Sequence, residues 1–148
     1  MSYQERRAIV SLFSSILITA IYSAYMFQRY PEASAYSAEV FRFWGAFLLI
    51  LIPVSIITKI VIYIAFNIVN MVATQEVEPA ITDERDHLIE LKANRNALYT
   101  FSLGFLLAMA SLVLDMSPTV MFIMLIGAGV VSEVVSDISQ FYFYRRGF

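Results

Sequence analysis

Four long apolar runs divide the chain, separated by short polar stretches. The first extends from Ala8 to Phe27 without a charge, directly after Arg6 and Arg7. The second begins near Phe43 and stays apolar to Ala73, interrupted chiefly by Pro53, Lys59, Asn67 and Asn70. The third covers Ala97 to Leu114, and the fourth Val120 to about Tyr144. A bilayer core ~30 Å thick is crossed by ~20 helical residues. The pattern therefore predicts four transmembrane helices, near 8–27, 43–63, 97–114 and 120–141. The first run exceeds the roughly 7–15 apolar residues of a signal peptide and is read as a retained span. The second is longer than a bilayer is thick, so it must tilt, kink at Pro53 or project beyond the membrane.

Polar residues mark the ends of these elements. Ser37 is placed to cap the second helix, with Glu39 in its first turn. Pro118 suits the first turn of the fourth, where a missing N–H costs nothing. The one stretch suited to water is Gln75 to Asn96. There Thr82 can cap a helix whose first turn holds Asp83 and Glu84, and no Gly or Pro interrupts the path to Leu103. The expectation is a third helix half outside the membrane, with the second projecting alongside it as a helical hairpin over 64–96.

Composition agrees with a lipid environment. Hydrophobic residues make up 59% of the 148 and charged residues 15%, against about 45–50% and 25% in soluble domains. The fold class expected is all-α, one polytopic four-helix membrane domain over 1–148 with the lipid bilayer as its main partner. Orientation follows from the basic residues: Arg6, Arg7, Arg85, Lys92, Arg95, Arg145 and Arg146 fall on one side, and only Arg29 and Arg42 on the other. The positive-inside rule makes the first side cytoplasmic, with both termini inside and the chain multi-pass in the cytoplasmic (inner) membrane. A net charge of −2 does not suggest a nucleic-acid partner.

Chemistry is restricted further. With no cysteine and one histidine, His87, thiol catalysis, iron–sulfur clusters and two-imidazole metal sites are excluded within one chain. Walker, nucleophile-elbow and zinc-peptidase motifs are all missing, so no enzyme and no cofactor is expected. Asp83, Glu84, Arg85, Asp86, His87 and Glu90 form a cytoplasmic charged motif. Its ordinary reading is a solvated acidic first turn. The sharper one is half of a divalent-metal site that a second copy would complete. Ser11, Ser15, Thr19 and Ser23 on the first helix, and Gly104, Ala108 and Ser111 on the third, read as close-packing stripes. Their number also suggests a homodimer.

Lys59, Glu133 and Asp137 are different, because a charge at membrane depth costs roughly 2.5–3.5 kcal/mol on insertion scales. Each lies about thirteen to seventeen residues beyond the outer edge of its helix, so their depths match. Gln140 continues the same face. Lys59 is expected to pair with Glu133 or Asp137. The alternative has Lys59 snorkelling to headgroups, Asp137 reaching water and Glu133 bonded to serines.

Thr82-Asp83-Glu84-Arg85-Asp86, followed by Leu88-Ile89-Glu90 and Lys92-Ala93, resembles a signature of a family of small four-helix membrane proteins of bacteria and archaea. The closing Phe143-Tyr144-Arg145-Arg146-Gly147 is similar as well. The resemblance covers most of the chain and implies four helices with the acidic segment before the third. It carries no established activity. Family genes lie beside small helix-turn-helix regulators, which implies a regulatory or sensing setting; His87 is not an expected family feature. Two functions follow. One is a non-enzymatic module (sensor, regulatory partner or accessory subunit) presenting its cytoplasmic hairpin to a cytoplasmic or membrane protein. The other is a small dimeric transporter or ion-coupled carrier using Glu133 or Asp137.

Overall fold

The computed structural model describes residues 3–74 and 84–146. They form four helices: α1 Tyr3–Phe27, α2 Ala38–Thr74, α3 Glu84–Val113 and α4 Pro118–Arg146. All four are long and apolar enough to cross a membrane, and the described residues contain no strand. The expected all-α four-helix architecture is the one observed.

Local chemistry sets the boundaries. The Val40 amide donates to Ser37 Oγ at 3.3 Å, so Ser37 caps α2 as its position predicted. Pro118 opens α4. Between α3 and α4, Asp115 takes φ 57°. The Met116 amide bonds back to the Ser111 carbonyl at 3.0 Å, and that of Asp115 to Leu112 at 3.2 Å. This is a Schellman closure, in which a left-handed residue lets the chain reverse while satisfying the last carbonyls. α2 continues through Pro53 for 37 residues, about 55 Å of helix and well beyond a bilayer core.

α4 is the hub of the bundle. α3 packs against it, as does α1, whereas α2 lies mainly on α1 and touches α4 only lightly. The α3–α4 seam is built from small residues: a Cβ on Gly104 would overlap the Ala128 methyl and sit 3.2 Å from its Cα. Ala108, Ser111 and Ala128 are buried along the same seam. On α1, Ser11 and Ser15 are buried, and the Ser14 and Ser15 hydroxyls turn back to the Ser11 carbonyl at 2.8 and 2.9 Å. Self-satisfied hydroxyls make a thin, dry surface on which a neighbour can pack.

The hairpin expected over 64–96 includes residues that lie outside the described ones. Among the described residues α2 and α3 make no contact. The first turns of α3 lie instead along the end of α4, where Ile89 and Ala93 are fully buried and Asn96 Nδ2 donates to Ser139 Oγ at 3.1 Å. The Gly104–Ala128 seam sets this pairing, because two stiff helices that touch there run together to their ends. α2 finds its partner at that level in α1, through a hydrogen bond from the Tyr3 hydroxyl to Asn67. Thr82 and Asp83, expected at the helix start, lie outside the described residues.

The other end of the bundle is closed by aromatic side chains. Tyr22, Met26, Val40, Trp44 and Phe47 are buried together, with Tyr30, Phe43 and Phe122 packed around them. Trp44 stacks on Phe122 with centroids 5.6 Å apart and planes 8° from parallel. The Tyr22 hydroxyl donates to the Phe47 carbonyl at 3.0 Å. Trp44 is thus a core residue. Elsewhere α2 turns Leu49, Ile52, Ile56, Ile57 and Ile60 outward, an apolar surface suited to lipid.

Candidate functional site

The half of the bundle that holds both helical chain ends encloses a polar cavity of about 460 Å³. Each helix contributes a stripe at helical spacing. From α1 come Gln4, Arg7 and Ser11; from α2, Lys59 and Tyr63. From α3 come Asp86, Glu90 and Asn94. α4 supplies Glu133, Asp137, Gln140 and Tyr144 on one column and Ser132 and Ser136 beside it. Residues three or four apart on a helix share a face, so the spacing on each element directs its polar groups to one place.

Two ion-bearing clusters that are distant in sequence meet here. Lys59 Nζ pairs with Glu133 Oε1, and the two side chains are 20% and 39% exposed. Asp137 lies one turn farther along α4 and is only 6% exposed. The Ser11 side chain lies close to its carboxylate, and the carboxylate's Oδ2 is buried with no hydrogen-bond partner. Toward the chain ends, Asp86 lies beside the Tyr144 side chain, and the Arg7 guanidinium lies 5.2 Å from the Tyr63 ring centroid. Four carboxylates (Asp86, Glu90, Glu133 and Asp137) thus face two cations, Arg7 and Lys59.

The residues singled out from sequence therefore divide. Lys59, Glu133, Asp137 and Gln140 all line the cavity, and Asp86 and Glu90 join them. Glu84, Arg85 and His87 are exposed and are not among the cavity's wall residues, and Asp83 lies outside the described residues. The arrangement in which Lys59 snorkels and Asp137 reaches water is not the one formed, since Lys59 holds Glu133 and Asp137 is buried. Among the described residues no three His, Cys, Asp or Glu side chains converge on one ion position. Sequence reasoning passed over Arg7, Ser11 and Tyr63 as wall residues. The signal was Gln4, Arg7 and Ser11, whose spacing of three and four carries the serine stripe of α1 into charged territory.

The ion pair makes a defined prediction. Lys59→Met leaves Glu133 on a membrane-depth wall without its cation, and Glu133→Gln strands the lysine. Each is expected to cost about 1–2 kcal/mol, below the 3–5 kcal/mol of a fully buried pair because the cavity gives partial hydration. The double variant should lose about 1 kcal/mol less than the two losses combined. A double-mutant cycle on thermal stability in detergent checks this; simple additivity would deny the coupling.

Comparison of the chain with protein-family models, with curated proteins and with solved structures gives no match.

Proposed function

We propose that this protein is a non-enzymatic membrane module that takes a small cationic solute into its polar cavity and conveys occupancy to a protein partner. The observation carrying this reading is Asp137: a buried carboxylate whose Oδ2 lacks a hydrogen-bond partner, on the wall of a 460 Å³ cavity. A cavity of this size fits small-molecule binding, and a desolvated carboxylate oxygen without a donor is costly until one arrives. Surplus carboxylates set the sign of the ligand. Asp86 and Glu90 line the cavity while Arg85, Leu88 and Leu91 on the same turns of α3 face outward, exposed. One rigid helix thus has its inner face at the ligand and its outer face open to a partner. The arginine distribution supports placing this end in the cytoplasm and the chain in the cytoplasmic membrane. The resemblance to small four-helix membrane proteins, with its regulatory setting, agrees with a sensing role.

A carrier, working as a homodimer, is the second reading, and one observation favours it. The Lys59–Glu133 pair spans α2 and α4, which touch each other only lightly. An ion pair bridging a weak interface can open and close as its charges are competed for. One experiment separates the two readings, and the cysteine-free chain gives no background. Single cysteines at Ala35, Glu84 and Ser132 are labelled in sealed vesicles with a membrane-impermeant thiol reagent. The sensor reading expects positions 84 and 132 to label from the cytoplasmic side only and position 35 from the other. A carrier would expose position 132 to both sides in a ligand-dependent way. A residue 132 closed to both sides would defeat both readings.

A further inference from the structure

We propose that the cavity binds a linear aliphatic diamine or polyamine in its protonated form, one ammonium at Asp137 and another at Asp86 and Glu90; this rests on the binding reading above and names its ligand class. The charge balance of the wall, with two carboxylates beyond its two cations, calls for a cation and turns away anions. Asp137 specifies what that cation must bring. Asp137 lines the cavity, and its Oδ2, buried and without a hydrogen-bond partner, needs a donor.

A bare metal ion fits poorly, because hard cations gather several oxygens within about 2.0–2.6 Å of one point. Among the described residues the acidic groups do not converge in that way. They are spread along the cavity instead. Asp86 meets α4 at Tyr144, seven residues beyond Asp137, which is about 10 Å along the helix axis. Two positive charges separated by a flexible chain of about five to seven methylene groups cover that distance once the carboxylate side chains reach inward. The wall between suits methylenes, since Ala8 and Ala97 offer methyl groups and Tyr63 an aromatic ring. Lys59 gives an internal precedent. It is an alkylammonium on a four-carbon stem, and it already occupies Glu133 on this wall.

The test uses the full chain in nanodiscs of uncharged lipid, with binding measured by calorimetry at fixed ionic strength. The probes are 1,5-diaminopentane, 5-aminopentan-1-ol and magnesium chloride. The amino alcohol has the same length but lacks the second charge. The expected result is a diamine Kd at least about tenfold below that of the amino alcohol, with magnesium not competing. Glu90→Gln, at an exposed residue that folding tolerates, should remove most of this advantage and leave the amino alcohol's affinity as it was. Asp137→Asn should weaken both amines about tenfold or more. Equal affinity for the two amines, or displacement of the diamine by magnesium, overturns the diamine assignment while keeping the cavity as a cation site. If no probe binds the wild-type chain and Ser132→Cys stays unlabelled from both sides, the binding reading itself falls. If the diamine binds but Glu90→Gln and Asp137→Asn leave its affinity unchanged, it sits elsewhere and the proposal is overturned.

Discussion

Replacing Trp44 by alanine is expected to cost about 3–5 kcal/mol, the range for truncating a large buried aromatic. Trp44 is fully buried, stacked on Phe122 of α4 and in edge contact with Phe27 of α1 and Phe43 of its own helix. It joins three helices at the end opposite the cavity, and α2 has few other holds on α4. Trp44→Phe is expected to lose far less. A phenyl ring keeps the stacking, and the change removes an indole Nε1 that is buried with no hydrogen-bond partner, a group that costs about 1–3 kcal/mol when unsatisfied. Unfolding in mixed micelles, followed by near-ultraviolet circular dichroism, measures both variants. The aromatic plug also has a functional consequence, since none of the cavity's wall residues belongs to it. In Trp44→Ala, a cysteine at position 132 should gain labelling from the far side. Equal stability of Trp44→Ala and wild type would mean that the cluster does not hold the bundle together.

The second large effect belongs to Gly104. α3 packs on α4 alone among the described helices, and a methyl at Gly104 would overlap that of Ala128. Overpacking a tight contact costs about 1–3 kcal/mol, so Gly104→Ala should fall in that range. Gly104→Leu should exceed it, because a branched side chain holds the helices apart along the whole seam. The compensating pair is the sharper test. Gly104→Ala with Ala128→Gly moves one methyl across the interface, and it should recover most of the lost thermal stability. Failure of the second change to rescue the first would mean that the close approach at this point is not what couples α3 to α4. Because Asp86, Glu90 and Asn94 ride on α3, Gly104→Leu should also weaken any ligand that the cavity holds.

Much of the fold is legible along the chain, since it follows from local periodicity and from the length an apolar run needs to cross a bilayer. Four runs gave four helices, the Ser37 cap and Pro118 opening lie where expected, and α3 continues unbroken from Glu84 through the apolar run. The small-residue stripe of α3 was correctly read as a packing surface, with Gly104 against Ala128, whereas Ser11 of the α1 stripe lines the cavity. Matching depth on helices of the same direction brought Lys59 to the level of Glu133 and Asp137, because rise per residue is fixed in a helix.

What depth cannot give is rotation. Whether Lys59 meets Glu133 or Asp137 depends on how two cylinders turn about their own axes, and packing of many side chains at once decides that. The same limit applies to the packing partners of α2 and α3. Connectivity made α2 and α3 neighbours along the chain, but the α3–α4 seam and the Tyr3–Asn67 bond gave each a different companion. It explains the cavity too. Asp86 and Glu90 belong to one polar stretch and Glu133 and Asp137 to another, and no local signal links them. Only the pairing of α3 with the end of α4 brings these carboxylates around one space. The sequence by itself determined how many helices there are, how long they are and what each carries. The tertiary structure decided which faces meet, because that choice rests on the fit of surfaces far apart in the chain.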